Sequence, residues 1–130
     1  MKRVVFVCIE NSNRSQLAQA FAKMFGGDTV EAYSAGSRPS GKVNPKAVEA
    51  MARLGYDLST HDSKGLTDLP DVPYDAAVTM GCGDACPMLR AERRIDWSIP
   101  DPKHMEPAEF DAVRDLIGSK VKELLSELNG

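Results

Sequence analysis

No apolar run in this sequence reaches the length needed to span a bilayer, so a membrane-spanning protein is not expected. Nor is there any excess of positive charge: 16 Lys and Arg face 19 Asp and Glu, a formal net charge of -3. No global basic field exists to draw in nucleic acid or an acidic membrane, and any bound anion must be held locally. Internal repeats, low-complexity tracts and linker-like stretches are missing, so residues 1–130 read as one domain of a length that encloses a single core. Cysteine is scarce, with only Cys8, Cys82 and Cys86. Met1-Lys2-Arg3 resembles a basic leader, but the apolar run from Val4 stops at Glu10, short of the ~7–15 residues of a signal-peptide core. A cytoplasmic location is the expectation. Thiols there stay reduced, which favours reactive or metal-binding roles over crosslinks.

What is present alternates between two periodicities. The β-branched run from Arg3 to Cys8 predicts a buried strand. After the polar stretch Glu10-Asn11-Ser12-Asn13, the residues Leu17, Ala18, Phe21, Ala22 and Phe25 fall at helical spacing, and Gly26-Gly27 supplies a stop. Thr29 to Ala35 reads as a second strand broken by Gly36. Asn44-Pro45 offers a cap and first-turn residue for a helix ending at Leu54-Gly55. Tyr74 to Met80 is a third strand and Arg94 to Trp97 a weak fourth. Phe110, Val113, Ile117, Val121, Leu124 and Leu128 mark a long final helix with Pro107 near its start. Strands alternating with helices predict an α/β fold, a four-stranded parallel sheet wound on both faces. Ligands of such sheets sit beyond the carboxyl ends of the strands, where Cys8 and the Gly81-Cys82 pair both fall.

The chemistry concentrates in Cys8-Ile9-Glu10-Asn11-Ser12-Asn13-Arg14-Ser15, a cysteine, five residues, an arginine and a serine between a buried strand and a helix. A loop entering a helix aims free backbone N–H groups inward, so residues Ile9, Glu10, Asn11, Ser12, Asn13 and Arg14 form a cradle for a tetrahedral oxyanion. Arg14 closes it with a bidentate guanidinium grip that lysine cannot copy. The same field favours a nucleophilic thiolate at Cys8, with Ser15 placed to donate its hydroxyl to the sulfur.

This loop resembles the signature of low-molecular-weight tyrosine phosphatases and of the thioredoxin-coupled arsenate reductases that share their fold. Ser34-Ala35-Gly36-Ser37, Asn44-Pro45-Lys46-Ala47, His61-Asp62-Ser63-Lys64, the Tyr74 to Met80 run, Asp101-Pro102 and the Phe110 to Leu125 helix extend the resemblance over nearly the whole chain. It implies that Asp101 is the general acid that protonates the leaving oxygen, aimed by the extended geometry that Pro102 imposes on the residue before it. It also separates two activities. A phosphatase, the alternative function, has no chemical use for a second thiol, whereas Gly81-Cys82-Gly83-Asp84-Ala85-Cys86-Pro87 supplies two. The expected reaction is reduction of arsenate to arsenite through a Cys8, Cys82 and Cys86 disulfide relay, with phosphate as a competing anion.

The relay restores itself from an external thiol donor, thioredoxin for a three-cysteine system, and no bound cofactor is expected. A zinc site is not expected either, since four ligands would be needed and only His61 and His104 could join Cys82 and Cys86. Some reductases hold potassium with acidic residues whose counterparts here are Gln19 and Lys64, so that cation is not expected. Aromatic residues are missing beside Asp101-Pro102 and from the Gly36 to Lys42 loop, which suits a small inorganic anion better than an aryl phosphate. A monomer is the expected state.

Overall fold

The computed structural model describes residues 1–81 and 90–129; Cys82 and Cys86 lie outside the described residues. Among the described residues the strands and α-helices follow in the order β1 (Lys2–Cys8), α1 (Arg14–Gly26), β2 (Val30–Gly36), α2 (Pro45–Ala52), β3 (Tyr74–Thr79), β4 (Ala91–Asp96) and α3 (Pro107–Asn129), with short 3-10 turns in the connections. The strands form one parallel sheet in the order β2-β1-β3-β4. The chain therefore steps one way from β1 to β2 and then back past β1 to β3, which opens a crevice at the carboxyl ends of β1 and β3. Cys8 ends β1 opposite Gly36, and Met80 N donates to Val7 O at 2.8 Å, so the chain leaving β3 runs beside the cysteine.

Strand periodicity divides the core. Val4, Phe6, Ala76 and Val78 point to one face, where Leu17 and Phe21 of α1, Ala50 and Met51 of α2 and Phe110, Ile117 and Val121 of α3 pack against them. Val5, Val7 and Ala77 point to the other, covered by Tyr33, Leu66, Leu69 and Val72. Gly118 admits α1 to α3: a Cβ there would lie 2.9 Å from Phe21 Cζ.

The element ends carry physical reasons. Strand β4 begins at Ala91, three residues before the apolar signal at Arg94. Among the described residues it pairs only with β3 and is largely solvent-facing, so Glu92, Arg93 and Arg94 are tolerated there, and charge on an edge discourages further pairing. Helix α1 starts at Arg14, ahead of its apolar stripe, because its first turns are buried on all sides, polar residues included. Helix α2 stops before Leu54. Gly55 at φ 85° turns the chain, with Tyr56 N donating to Met51 O at 3.0 Å and Gly55 N to Ala52 O at 2.9 Å.

The stripe on α3 gives a direct test. Ile117 is fully buried while its neighbour Leu116 is 41% exposed. Ile117→Ala should cost about 2–5 kcal/mol in urea unfolding and Leu116→Ala under about 1 kcal/mol. Equal costs would contradict this packing.

Candidate active site

Residues 8 to 13 turn every carbonyl away from the crevice and into the surrounding chain. Cys8 O accepts from Ser37 N (3.1 Å), Ile9 O from Arg38 N (2.7 Å), Glu10 O from Ser40 N (3.0 Å), Ser12 O from Asn44 N (3.1 Å) and Asn13 O from Leu17 N (2.9 Å). Asn11 O accepts from Gln16 Nε2 at 3.1 Å, and Ser63 Oγ adds a second bond to Glu10 O. In a planar trans peptide the next residue's N–H points opposite the carbonyl. The amides of residues 9 to 14 consequently face the other way, toward the hollow of the loop.

Two local features permit this winding. Asn11 adopts φ 53°, a left-handed conformation that asparagine tolerates better than most side chains. Gly36 presses β2 against the loop so closely that a Cβ would lie 2.5 Å from Ile9 O and 2.8 Å from Asn11 N.

At the bottom of the loop, Cys8 is 3% exposed and its Sγ lies 2.9 Å from Ser15 Oγ. Asn11 Nδ2 donates to the same Ser15 oxygen at 2.7 Å, which leaves the serine proton to point at sulfur. The chain of donors continues outward. Gln16 Nε2 donates to Asn11 Oδ1 (3.0 Å) and to Asp62 O (2.9 Å), so its Oε1 is the atom facing His61 Nδ1 at 2.9 Å. His61 must then carry its proton on Nδ1 and accept from the Tyr56 hydroxyl at Nε2, 2.6 Å away. From Tyr56 through His61, Gln16, Asn11 and Ser15, each group donates toward Cys8. Burial pushes the His61 imidazole down to about 4, with repulsion from Lys23 and Lys64 acting in the same direction. Both His61 nitrogens are thus engaged, and the described residues hold no cluster of metal-ligating side chains.

The opposite wall comes from the segment after β4. Arg14, 7% exposed, donates from Nη1 to Ile99 O at 3.0 Å, and its Nη2 lies 3.9 Å from Asp101 Oδ2. With Asp101 half exposed, that long contact contributes little to stability but places the carboxyl at the pocket mouth. Gly81, at φ 83°, packs against the same guanidinium: a Cβ would lie 2.5 Å from Arg14 Nη1. The open-mouthed pocket, about 60 Å³, is lined among the described residues by Cys8, Ile9, Glu10, Ser12, Asn13, Arg14 and Asp101, none of them aromatic. It has room for a few waters or one small anion.

Cysteine, loop, arginine and a facing aspartate in this arrangement on a parallel sheet agree with the comparison to known families. A family model described as "Low molecular weight phosphotyrosine protein phosphatase" matches residues 3–130. The chain belongs to that family. Among its curated relatives, "Arsenate reductase 1" of Staphylococcus haemolyticus is 38% identical over 131 residues, covering 98% of this chain and 97% of the relative. A solved structure described as an arsenate reductase in the phosphate binding state superposes with a TM-score of 0.89 at 33% identity, over 98% of each chain. The thioredoxin-dependent arsenate reductase of Corynebacterium glutamicum gives a TM-score of 0.84 at 32% identity, over 99% of this chain and 62% of the other.

Of the site residues named from sequence, Cys8, Ile9, Glu10, Ser12, Asn13, Arg14 and Asp101 meet at one pocket, with Ser15 and Asn11 behind it. Cys82 and Cys86 lie outside the described residues. Gln19 and Ser34 engage each other instead of standing open: Ser34 Oγ donates to Gln19 Oε1 at 2.5 Å, and Gln19 Nε2 donates to Ala32 O at 3.0 Å. Sequence reasoning missed the supporting roles of Gln16, His61 and Tyr56. A glutamine in a helix's first turn gives no signal until the fold sets it against residues 45 positions away.

Two outcomes follow. Gly36→Ala should weaken phosphate protection of Cys8 against alkylation by about tenfold, since the loop must shift; unchanged protection would mean the loop absorbs the methyl group. His61 stays neutral when folded down to about pH 4, whereas an unfolded histidine protonates near 6.5. Between these values the unfolded chain binds more protons, so stability is lost as pH falls through that window. His61→Gln should flatten this part of the stability profile in urea titrations run at successive pH values.

Proposed function

We propose that this chain, working as a one-domain monomer, is an arsenate reductase that spends protein thiols on its substrate and recovers them from an external dithiol of the thioredoxin kind. The observation that carries this is the convergence on one small pocket of the Cys8 sulfur, the amides of residues 9 to 14, Arg14 and Asp101. Full-length similarity to proteins named arsenate reductases supports the choice of anion.

In the first step the Cys8 thiolate attacks arsenic while the amides and Arg14 hold the remaining oxygens. Asp101 protonates the departing oxygen, which leaves as water. The Cys82 thiolate then attacks Cys8 sulfur. A disulfide forms, the sulfur–arsenic bond breaks, and its electron pair passes to arsenic, which leaves reduced from As(V) to As(III) as arsenite. The Ser15 hydroxyl supports Cys8 whenever it carries charge. Cys86 next attacks Cys82, frees Cys8 and leaves a Cys82–Cys86 disulfide that thioredoxin reduces with two electrons. Gly81, the residue before Cys82 in the sequence, abuts Arg14, which supports this order of attack. No resident metal or cofactor is needed.

Phosphate has the shape and charge of arsenate, so slow phosphomonoester hydrolysis through a cysteinyl-phosphate can accompany the main reaction. The aromatic-free pocket disfavours phosphotyrosine as its substrate.

The test follows NADPH oxidation with arsenate, thioredoxin and thioredoxin reductase. Cys8→Ser should abolish turnover, Cys82→Ser should release no arsenite, and Cys86→Ser should release at most one arsenite per chain. Asp101→Asn should lower kcat by about 10²–10⁴-fold. Full activity of Cys82→Ser on an aryl phosphate, with no arsenite from the wild type, would return the chain to simple ester hydrolysis.

A further inference from the structure

The anion loop carries a carboxylate of its own. Glu10 lines the pocket two residues after the nucleophile, where its charge repels any incoming oxyanion. Lys103 Nζ meets it across the pocket mouth, 3.0 Å from Glu10 Oε1 and 3.3 Å from Oε2. Lys103 belongs to the segment that carries Asp101, and its backbone N–H donates to Asp101 Oδ1 at 3.1 Å. From behind, Lys46 of α2 donates through Nζ to Lys103 O and Met105 O, both at 3.2 Å. Glu10 is held on its own side through its carbonyl, which accepts from Ser40 N and Ser63 Oγ. This ion pair adds, at the pocket mouth, to the contacts that Arg14 makes with Ile99 O and Asp101 deeper in the site, and it ties the rim of the anion loop to the turn that holds the acid.

We propose that Glu10 and Lys103 form a latch that holds the Asp101 turn over the anion loop and cancels the repulsion between the Glu10 carboxylate and the substrate. Lys103 is then a positioning residue that also sets anion affinity. This rests on Asp101 being the proton donor. Both side chains are partly exposed, at 45% and 38%, so the effect is a few-fold and is screened by salt.

The experiment compares Lys103→Met, Glu10→Gln, the double variant and Lys103→Arg by two readouts that need no turnover. Hydrogen exchange of the amides of residues 101 and 103 to 106 should speed up equally in Lys103→Met, Glu10→Gln and the double variant, because each breaks the same link. Phosphate protection of Cys8 from iodoacetamide, read on the Cys8 peptide, should weaken about two- to fivefold in Lys103→Met at low salt, tighten in Glu10→Gln, and converge at high salt. Lys103→Arg should match the wild type in both. Unchanged exchange in either single variant, additive exchange in the double, or protection shifting the same way in both singles would overturn the latch. Turnover of Asp101→Asn is read separately: wild-type turnover there removes the proton-donor role while leaving the two latch readouts to stand.

Discussion

The hydrogen bonds that take the six carbonyls of residues 8 to 13 outward are the constraint on which the site depends. Each is worth only about 0.5–1.5 kcal/mol net, but together they decide which way the peptide planes face. Once the carbonyls are claimed by residues 37 to 44, Gln16 and Leu17, the amides have the anion pocket as their common direction. The backbone and side-chain groups that claim them lie between β2 and α2, in the first turn of α1 and, for Ser63, between α2 and β3, so the cradle is assembled by neighbouring segments and the loop does not shape it alone. Gly36 matters for the same reason: only a residue without a side chain lets β2 come close enough to hand over the amides of Ser37 and Arg38.

Behind the cradle runs a polar chain from Tyr56 to Cys8, part-buried at Tyr56 and His61 and buried from Gln16 inward, in which the donor direction never reverses. A buried network of this kind is costly unless every member is satisfied. Here the saturation itself assigns the proton positions. The two amide protons of Gln16 are shared among Asn11 O, Asn11 Oδ1 and Asp62 O, which turns its oxygen to His61 and places a proton on His61 Nδ1. The chain ends with the Ser15 hydroxyl set against the Cys8 sulfur at 2.9 Å. Arg14 adds a formal charge, and the Ile99 carbonyl holds it in place.

The pocket mouth is built on weaker terms. Asp101, Lys103 and Glu10 are partly exposed, and their contacts lie across a gap between segments far apart in the chain. Exposure keeps those interactions modest, which suits a wall that must admit an anion and release a product. Rigid behind and adjustable in front is the division of labour expected where the cysteine is fixed at the bottom of the pocket and the Asp101 carboxyl stands at its exposed mouth.

The parallel sheet, the helix order and the cysteine loop were legible in the sequence because each leaves a local mark: β-branched runs, a 3.6-residue stripe, and a strand that ends in Cys8 before a polar loop and a helix. Strand β4 was legible only as a fragment, since an edge strand facing water carries no apolar alternation for most of its length. The early start of α1 was masked for the opposite reason, its first turns being buried all round and rich in polar residues that the fold satisfies. By itself, then, the sequence determined which residues hold reactive atoms and which segments are strand or helix, because those properties belong to single residues and their near neighbours. Only the tertiary structure decided that Gln16 and His61 support Cys8, that Gly81 abuts Arg14, and that Lys103 pairs with Glu10. Those contacts join residues 45 to 93 positions apart, and their geometry exists only once the sheet has brought the strand ends together.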